Sequence, residues 1–254
     1  MRHDNGPVRR KPEKTTPSAF WPVASLVVPP LRLVTRIRLL DEDKVPETGA
    51  FVLAPNHYTE VDPIVMGYVL WRLGRAPRFL TKASLFKVPV VGAVLRATGQ
   101  IPVERGGSAR GGVTLAAAGK LVEEGRPVIV YPEGSLTREP AMWPMRGKSG
   151  AARLALESGV PVIPAAHWGA QDLLPRYGKK PRLFPPARIA VKFGDPVDLS
   201  HLAGRPLDAA TLAEATEAIM AAITRLLEDL RGERAPVERW DPKKQGQTET
   251  GRFD

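Results

Sequence analysis

The chain has 254 residues, 43% of them hydrophobic, and a formal net charge of +10. That is enough apolar material for one domain with a sizeable core, and the charge points to an anionic partner: nucleic acid, a phospholipid surface or a phosphorylated substrate. No cysteine is present, which excludes a disulfide framework, a thiolate metal site and an acyl-cysteine intermediate.

In chain order, residues 1–16 are polar and basic and read as a flexible N-terminus. Residues 17–40 follow as a separate unit. The run A-F-W-P-V-A-S-L-V-V-P-P-L from Ala19 to Leu31 precedes Arg32, Arg36 and Arg38. It is shorter than the roughly 20 residues of a transmembrane helix and contains three prolines, and no small-residue cleavage site follows it before the arginines. Leu33, Val34, Ile37 and Leu40 recur among the arginines at helical spacing, so residues 31–40 are predicted helical. With Phe20 and Trp21 beside it, such a helix suits a membrane interface, or packs on the domain with a solvated basic face.

Residues 41–231 alternate strand and helix signals. Strands are predicted at 50–54, 78–81, 100–103, 127–131, 160–166 and 188–193. Helices are predicted from Asp62, through 87–98 by way of Pro89, over 108–124, 148–158 and 208–231. This alternation argues for one α/β domain with a mostly parallel or mixed central sheet flanked by helices. The polar remainder, 232–254, reads as a disordered tail.

The chemistry concentrates at the predicted strand ends. At 55–63 the sequence is P-N-H-Y-T-E-V-D-P. His57 and Asp62 lie roughly 500° apart on a regular helix, so they meet only if the chain turns between them. Asp62-Pro63 suggests such a turn, with Asp62 as N-cap and Pro63 at the first helical position. A carboxylate beside an imidazole keeps one ring nitrogen protonated and leaves the other as a base. The alternative is an ordinary loop histidine beside a capping aspartate. Later strand ends carry Lys82, Arg105, and Glu133 with Gly134 in a tight turn. A base pair, two cations and an exposed turn suit an anionic acceptor that must lose a proton. His167, at the end of an apolar strand, reads as a packed or hydrogen-bonded residue. No P-loop, nucleophile elbow, dinucleotide fingerprint or metal-binding cluster is present, and Arg146-Gly147-Lys148-Ser149 lacks the glycine a P-loop needs at Met142.

Four blocks in order resemble the glycerophospholipid acyltransferases, particularly the 1-acyl-sn-glycerol-3-phosphate (lysophosphatidate) acyltransferases. N-H-Y-T-E-V-D resembles that family's N-H-x4-D block, I-P-V-E-R its second block, Y-P-E-G-S its F-P-E-G-T block and V-P-V-I-P-A its closing block. The stretch F-L-T-K-A-S-L-F-K-V-P-V-V-G is similar to the segment between the first two, with Lys82 at the lysine. The likeness runs from Thr48 to Ala166. It implies an enzyme that moves a fatty acyl group from acyl-CoA or acyl carrier protein to the free hydroxyl of lysophosphatidate, giving phosphatidate without a cofactor or metal. His57 would be the general base and Asp62 its orienting partner. Arg105 and Lys82 would bind the acceptor phosphate, Glu133 and Gly134 would shape the acceptor site, and Asn56 belongs to the same substrate-binding set. An arginine usually follows the third block directly. Here it arrives later as Arg138, with Arg146 or Lys148 as substitutes. The implied partner is the anionic phospholipid surface on the cytoplasmic face of the cell membrane, met peripherally through residues 17–40, and no nucleic acid is expected. The same chemistry on glycerol-3-phosphate, a lysophospholipid or a glycolipid, and a non-catalytic lipid- or nucleic-acid-binding protein, are the competing readings.

Overall fold

The computed structural model of the chain describes residues 18–103 and 118–248. Its strands are β1 (Thr35–Leu40), β2 (Val52–Pro55), β3 (Leu80–Lys82), β4 (Ile101–Val103), β5 (Val128–Ile129), β6 (Val162–Trp168) and β7 (Ala187–Phe193). Its labelled helices are α1 (Phe20–Val34), α2 (Asp62–Arg72), α3 (Val91–Ala97), α4 (Gly150–Ser158), α5 (Ala170–Leu173) and α6 (Ala209–Arg231). Residues 118–123 are also helical.

Five strands form one sheet in the spatial order β1-β7-β6-β2-β5, with β6 and β7 antiparallel and the other neighbours parallel. β3 and β4 pair in parallel with each other. The Ile129 N–H donates to the Arg78 carbonyl at 2.7 Å, which brings this pair alongside β5. The expected α/β domain with a mixed, mostly parallel sheet is therefore what forms.

The central strands are buried on both faces, as near-continuous apolar runs require. Period-two alternation then divides their side chains between two cores. Leu53, Ile129, Ile163 and Ala165 face one cluster with Val65, Met66, Val69 and Leu70 of α2. Val52, Ala54, Val128 and Val162 face the other, with Ala151, Ala152 and Leu154 of α4 and Ala215, Ile219 and Ile223 of α6. The Asp208 carboxylate caps α6 by accepting from the Thr211 N–H at 2.8 Å.

The structure corrects three sequence expectations. Residues 31–40 are not one helix. α1 begins at Phe20, takes Pro29 and Pro30 into its body, and gives way to strand β1, which pairs with β7 from Thr35↔Ala187 to Leu40↔Lys192. Thr35-Arg36-Ile37-Arg38-Leu39 alternates with period two, arginines outward and the other residues inward, and the sheet edge selects that period over the helical one. Asp62 opens α2 without capping it, because its carboxylate turns back to the preceding loop. The expected disorder of 232–254 does not hold for its described part. Ala235 N–H donates to Glu228 Oε1 at 2.9 Å, Arg239 pairs with Glu217, and the Trp240 carbonyl accepts from Arg146 N–H at 2.8 Å. Few apolar residues are needed there because polar groups of α6 and the 139–148 loop supply the partners.

Candidate active site

β2 ends at Pro55, and the chain must then satisfy its backbone without a strand. Asn56 does so by continuing the ladder to β6 through its side chain. Its Nδ2 donates to the His167 carbonyl at 3.1 Å, and its Oδ1 accepts from the His167 N–H at 2.9 Å. Asn56 is thus buried and occupied as a brace, not turned to a substrate as expected.

His57 comes next. Its Nδ1 lies 3.0 Å from Asp62 Oδ2, and that oxygen also accepts from the N–H groups of Tyr58 at 2.7 Å and Thr59 at 2.9 Å. Three donors on one oxygen fix the carboxylate, and an acceptor facing Nδ1 orients the ring with that nitrogen as the donor and leaves Nε2 outside the pairing. Asp62 is 0% exposed and the His57 side chain 16%, so the pair is shielded from water except on the imidazole's open side. The turn anticipated between the two residues is this backward-folded loop.

One further segment holds His57. The His57 N–H donates to Glu133 Oε1 at 2.9 Å, and its carbonyl accepts from the Thr137 N–H at 2.7 Å. The Tyr131 ring stacks on the imidazole, with centroids 4.2 Å apart and planes at 27°. The segment after β5 therefore grips His57 by both backbone groups and by its ring face. Sequence reading missed Tyr131 and Thr137. The only signal was an aromatic residue ahead of the Pro-Glu-Gly turn.

Glu133 lies beneath the site, fully buried. Its Oε2 accepts from the Met145 N–H at 3.0 Å, so both oxygens serve backbone donors. Burial raises its pKa to about 8, against the opposing pull of the Met145 and His57 N–H groups, and the buried Asp62 charge adds to the rise. Gly134 has φ +69°, and a Cβ there would approach Lys148 Cδ to 3.0 Å. Only glycine suits that turn, over which the Lys148 stem is laid. Arg138 is 3% exposed and packed within the loop rather than along the groove described below. Lys148 is thus the basic residue brought to the Glu-Gly turn. Arg105 lies outside the described residues.

Behind the dyad stands a second histidine. His167 Nε2 donates to the Asn56 carbonyl at 3.1 Å, and its Nδ1 accepts from Tyr58 O–H at 3.1 Å. The Tyr58 oxygen in turn accepts from the Ala170 N–H at 3.1 Å. Burial lowers the His167 pKa, which matches a neutral imidazole satisfied on both nitrogens. The packed, hydrogen-bonded role expected of His167 is what this network shows. It lies 3.8 Å from Asp62 Oδ1, so it also backs the carboxylate.

In front of His57 opens an apolar groove of about 530 Å³. Val23 and Val27 of α1, Gly67 and Trp71 of α2, and Phe79 and Leu95 form its walls. His57, Tyr131 and Lys82 also line it, so the exposed Lys82 at the end of β3 shares one cleft with His57. The arrangement is a shielded His57–Asp62 pair at the carboxyl ends of parallel strands, opening onto an apolar groove.

A site of that class has close relatives. The chain belongs to the Acyltransferase family, whose model matches residues 36–168. Over 193 residues it is 28% identical to the 1-acyl-sn-glycerol-3-phosphate acyltransferase of Bacillus subtilis (strain 168), an alignment covering 75% of this chain and 87% of that protein. A chloroplastic enzyme of the same name from Brassica napus is 30% identical over 124 residues, 49% of this chain and 34% of its own length. The match thus spans most of the bacterial relative but about a third of the plant one. The crystal structure of the 1-acyl-sn-glycerophosphate (LPA) acyltransferase PlsC from Thermotoga maritima superposes with a TM-score of 0.61 at 21% identity, over 86% of this chain and 83% of that one, and shares the fold.

Proposed function

We propose that this chain transfers a fatty acyl group from an acyl thioester, carried by coenzyme A or acyl carrier protein, to the free hydroxyl of lysophosphatidate. The observation that carries the proposal is the 3.0 Å contact between His57 Nδ1 and the buried Asp62, set at the head of an apolar groove. His57 Nε2 takes the hydroxyl proton as the acceptor oxygen attacks the thioester carbonyl carbon. The tetrahedral intermediate collapses with cleavage of the C–S bond, and His57 returns the proton to the leaving thiolate. Asp62 stabilises the imidazolium between these steps.

An acyl chain lies along the groove between α1, α2 and the β3 region in this reading. Lys82, at the groove wall, and Arg105 hold the acceptor phosphate, where an arginine offers a bidentate match. Asn56 and Glu133 act indirectly, through the backbone and orientation of His57. The relatives' names support lysophosphatidate as acceptor. Among the described residues no helix is long and apolar enough to cross a membrane. The enzyme works peripherally, on the cytoplasmic face of the membrane that holds its lipid substrates, with the apolar α1 at the surface.

The test is acyl transfer by purified protein in mixed micelles, read as thiol release and by mass spectrometry of the lipid. Release that depends on lysophosphatidate and yields phosphatidate is the expected result. Equal or faster transfer to glycerol-3-phosphate would overturn the acceptor assignment.

A further inference from the structure

The segment between β3 and β4 carries a feature that catalysis does not use. Val90 has φ 65° and ψ −57°, and the Val91 N–H donates to the Pro89 carbonyl at 2.7 Å. This is a γ-turn of the rare positive-φ kind, strained for any residue with a Cβ and most of all for a β-branched one. Strain of this sort persists only where the surroundings impose it. Here they do. Gly92 sits so close to Phe86 that a Cβ would come within 2.2 Å of its carbonyl oxygen, the Gly92 N–H donates to the Val88 carbonyl at 2.8 Å, and Arg96 Nη1 donates to the Phe86 carbonyl at 2.9 Å. The result is a braced tip whose Val90 side chain is 76% exposed.

Val90 is not alone. Leu85, Val88, Val91 and Val94 are exposed in the same ten residues, and Leu85 and Val94 also line the groove that reaches His57. On the groove's other walls Ile64 is exposed, and α1 presents Leu26 at 78% exposure beside the lining residues Val23 and Val27. Apolar side chains thus stand out on both sides of one opening. Charge identifies what they meet. The 79–103 segment and α1 together carry Lys82, Lys87, Arg96 and Arg32 and no carboxylate, and of the residues lining the groove only Glu60 is acidic. A protein partner's surface would mix charges of both signs, whereas a bilayer with anionic headgroups offers an apolar interior beneath negative charge alone.

The geometry points to the 85–94 segment as a second membrane-seating element, which inserts Val90 and its neighbours into an anionic phospholipid surface across the groove mouth from α1. It rests on the lipid-substrate reading of the groove. With both rims seated, a chain passes from the bilayer to His57 without crossing water.

Val90→Gly and Val90→Asp in the full chain test this. Binding to vesicles of phosphatidylglycerol and phosphatidylethanolamine is read by sedimentation, and folding by thermal melting. Glycine relieves the turn, so Val90→Gly melts no lower than the parent while its vesicle affinity falls about tenfold; Val90→Asp loses more. Unchanged vesicle affinity in the glycine variant overturns the proposal, as does a lower melting temperature with affinity intact, which would make Val90 a packing residue. The binding is measured without substrate, so its outcome is separate from whether the parent transfers acyl groups.

Discussion

His57 is held by more contacts than a surface loop histidine needs, and their source explains what each neighbour does. Asp62 fixes the tautomer, Tyr131 covers one ring face, and Glu133 and Thr137 take the two backbone groups. Glu133 carries a testable consequence. Its pKa is raised from 4.5 to about 8, so the folded chain binds the proton more tightly than the unfolded one. The stability this contributes is full below about pH 4.5 and is lost as pH rises through about 8. Glu133→Gln removes that titration and sets an amide NH₂ against one of the two backbone donors. It should destabilise the protein by about 1–3 kcal/mol in acid, with the gap to the parent narrowing between pH 5 and 8. Melting temperatures across that range check this, and parallel profiles would contradict it. At this scale the His57–Asp62 pairing was legible because residue type and spacing encode it. The inward duties of Asn56 and Glu133 were not, since a polar residue at a strand end reads alike whether it faces a ligand or a backbone N–H.

Among the elements, the longest reach belongs to the C-terminal segment. Gly232 ends α6 at φ 65°, and the preceding Arg231 guanidinium lies between the rings of Trp143 and Trp168, 4.0 and 4.3 Å from their centroids. The Trp240 carbonyl then takes the Arg146 N–H, next to the Met145 N–H that Glu133 accepts. A mechanical line runs from the segment through the 139–148 loop to His57. Deleting residues 233–254 should lower the melting temperature by roughly 4–8 °C if about 2 kcal/mol of contacts is lost. It should also reduce turnover severalfold while leaving vesicle affinity unchanged. An unaltered melting curve would contradict the line. Sequence reading missed this element because its contacts are polar and distant, and mistook β1 because Leu33, Val34, Ile37 and Leu40 fit a helical period while Ile37 and Leu39, alternating with Arg36 and Arg38, fit a strand one. It succeeded for α6, whose Asp208 cap, apolar stripe and terminal glycine agree.

For the molecule as a whole, the sheet sets the chemistry and the groove sets the reach. Strand ends deliver His57, Lys82 and the Glu133–Gly134 turn to one edge, and α1 and the 79–103 segment, neither of which carries an acid, flank the opening in front of them. The excess positive charge, open in the sequence to nucleic acid or lipid, gains meaning from its place beside exposed apolar side chains. Only the fold could show that placement, because α1 and the 79–103 segment are separated by more than forty residues of chain. The claim on which everything depends is that His57 is the base for acyl transfer. The most direct measurement is the initial rate of lysophosphatidate acylation by the parent and by His57→Ala, matched for folding by circular dichroism. Loss of the imidazole is expected to lower that rate about 10² to 10⁴-fold. A folded His57→Ala protein working within a few fold of the parent would contradict it.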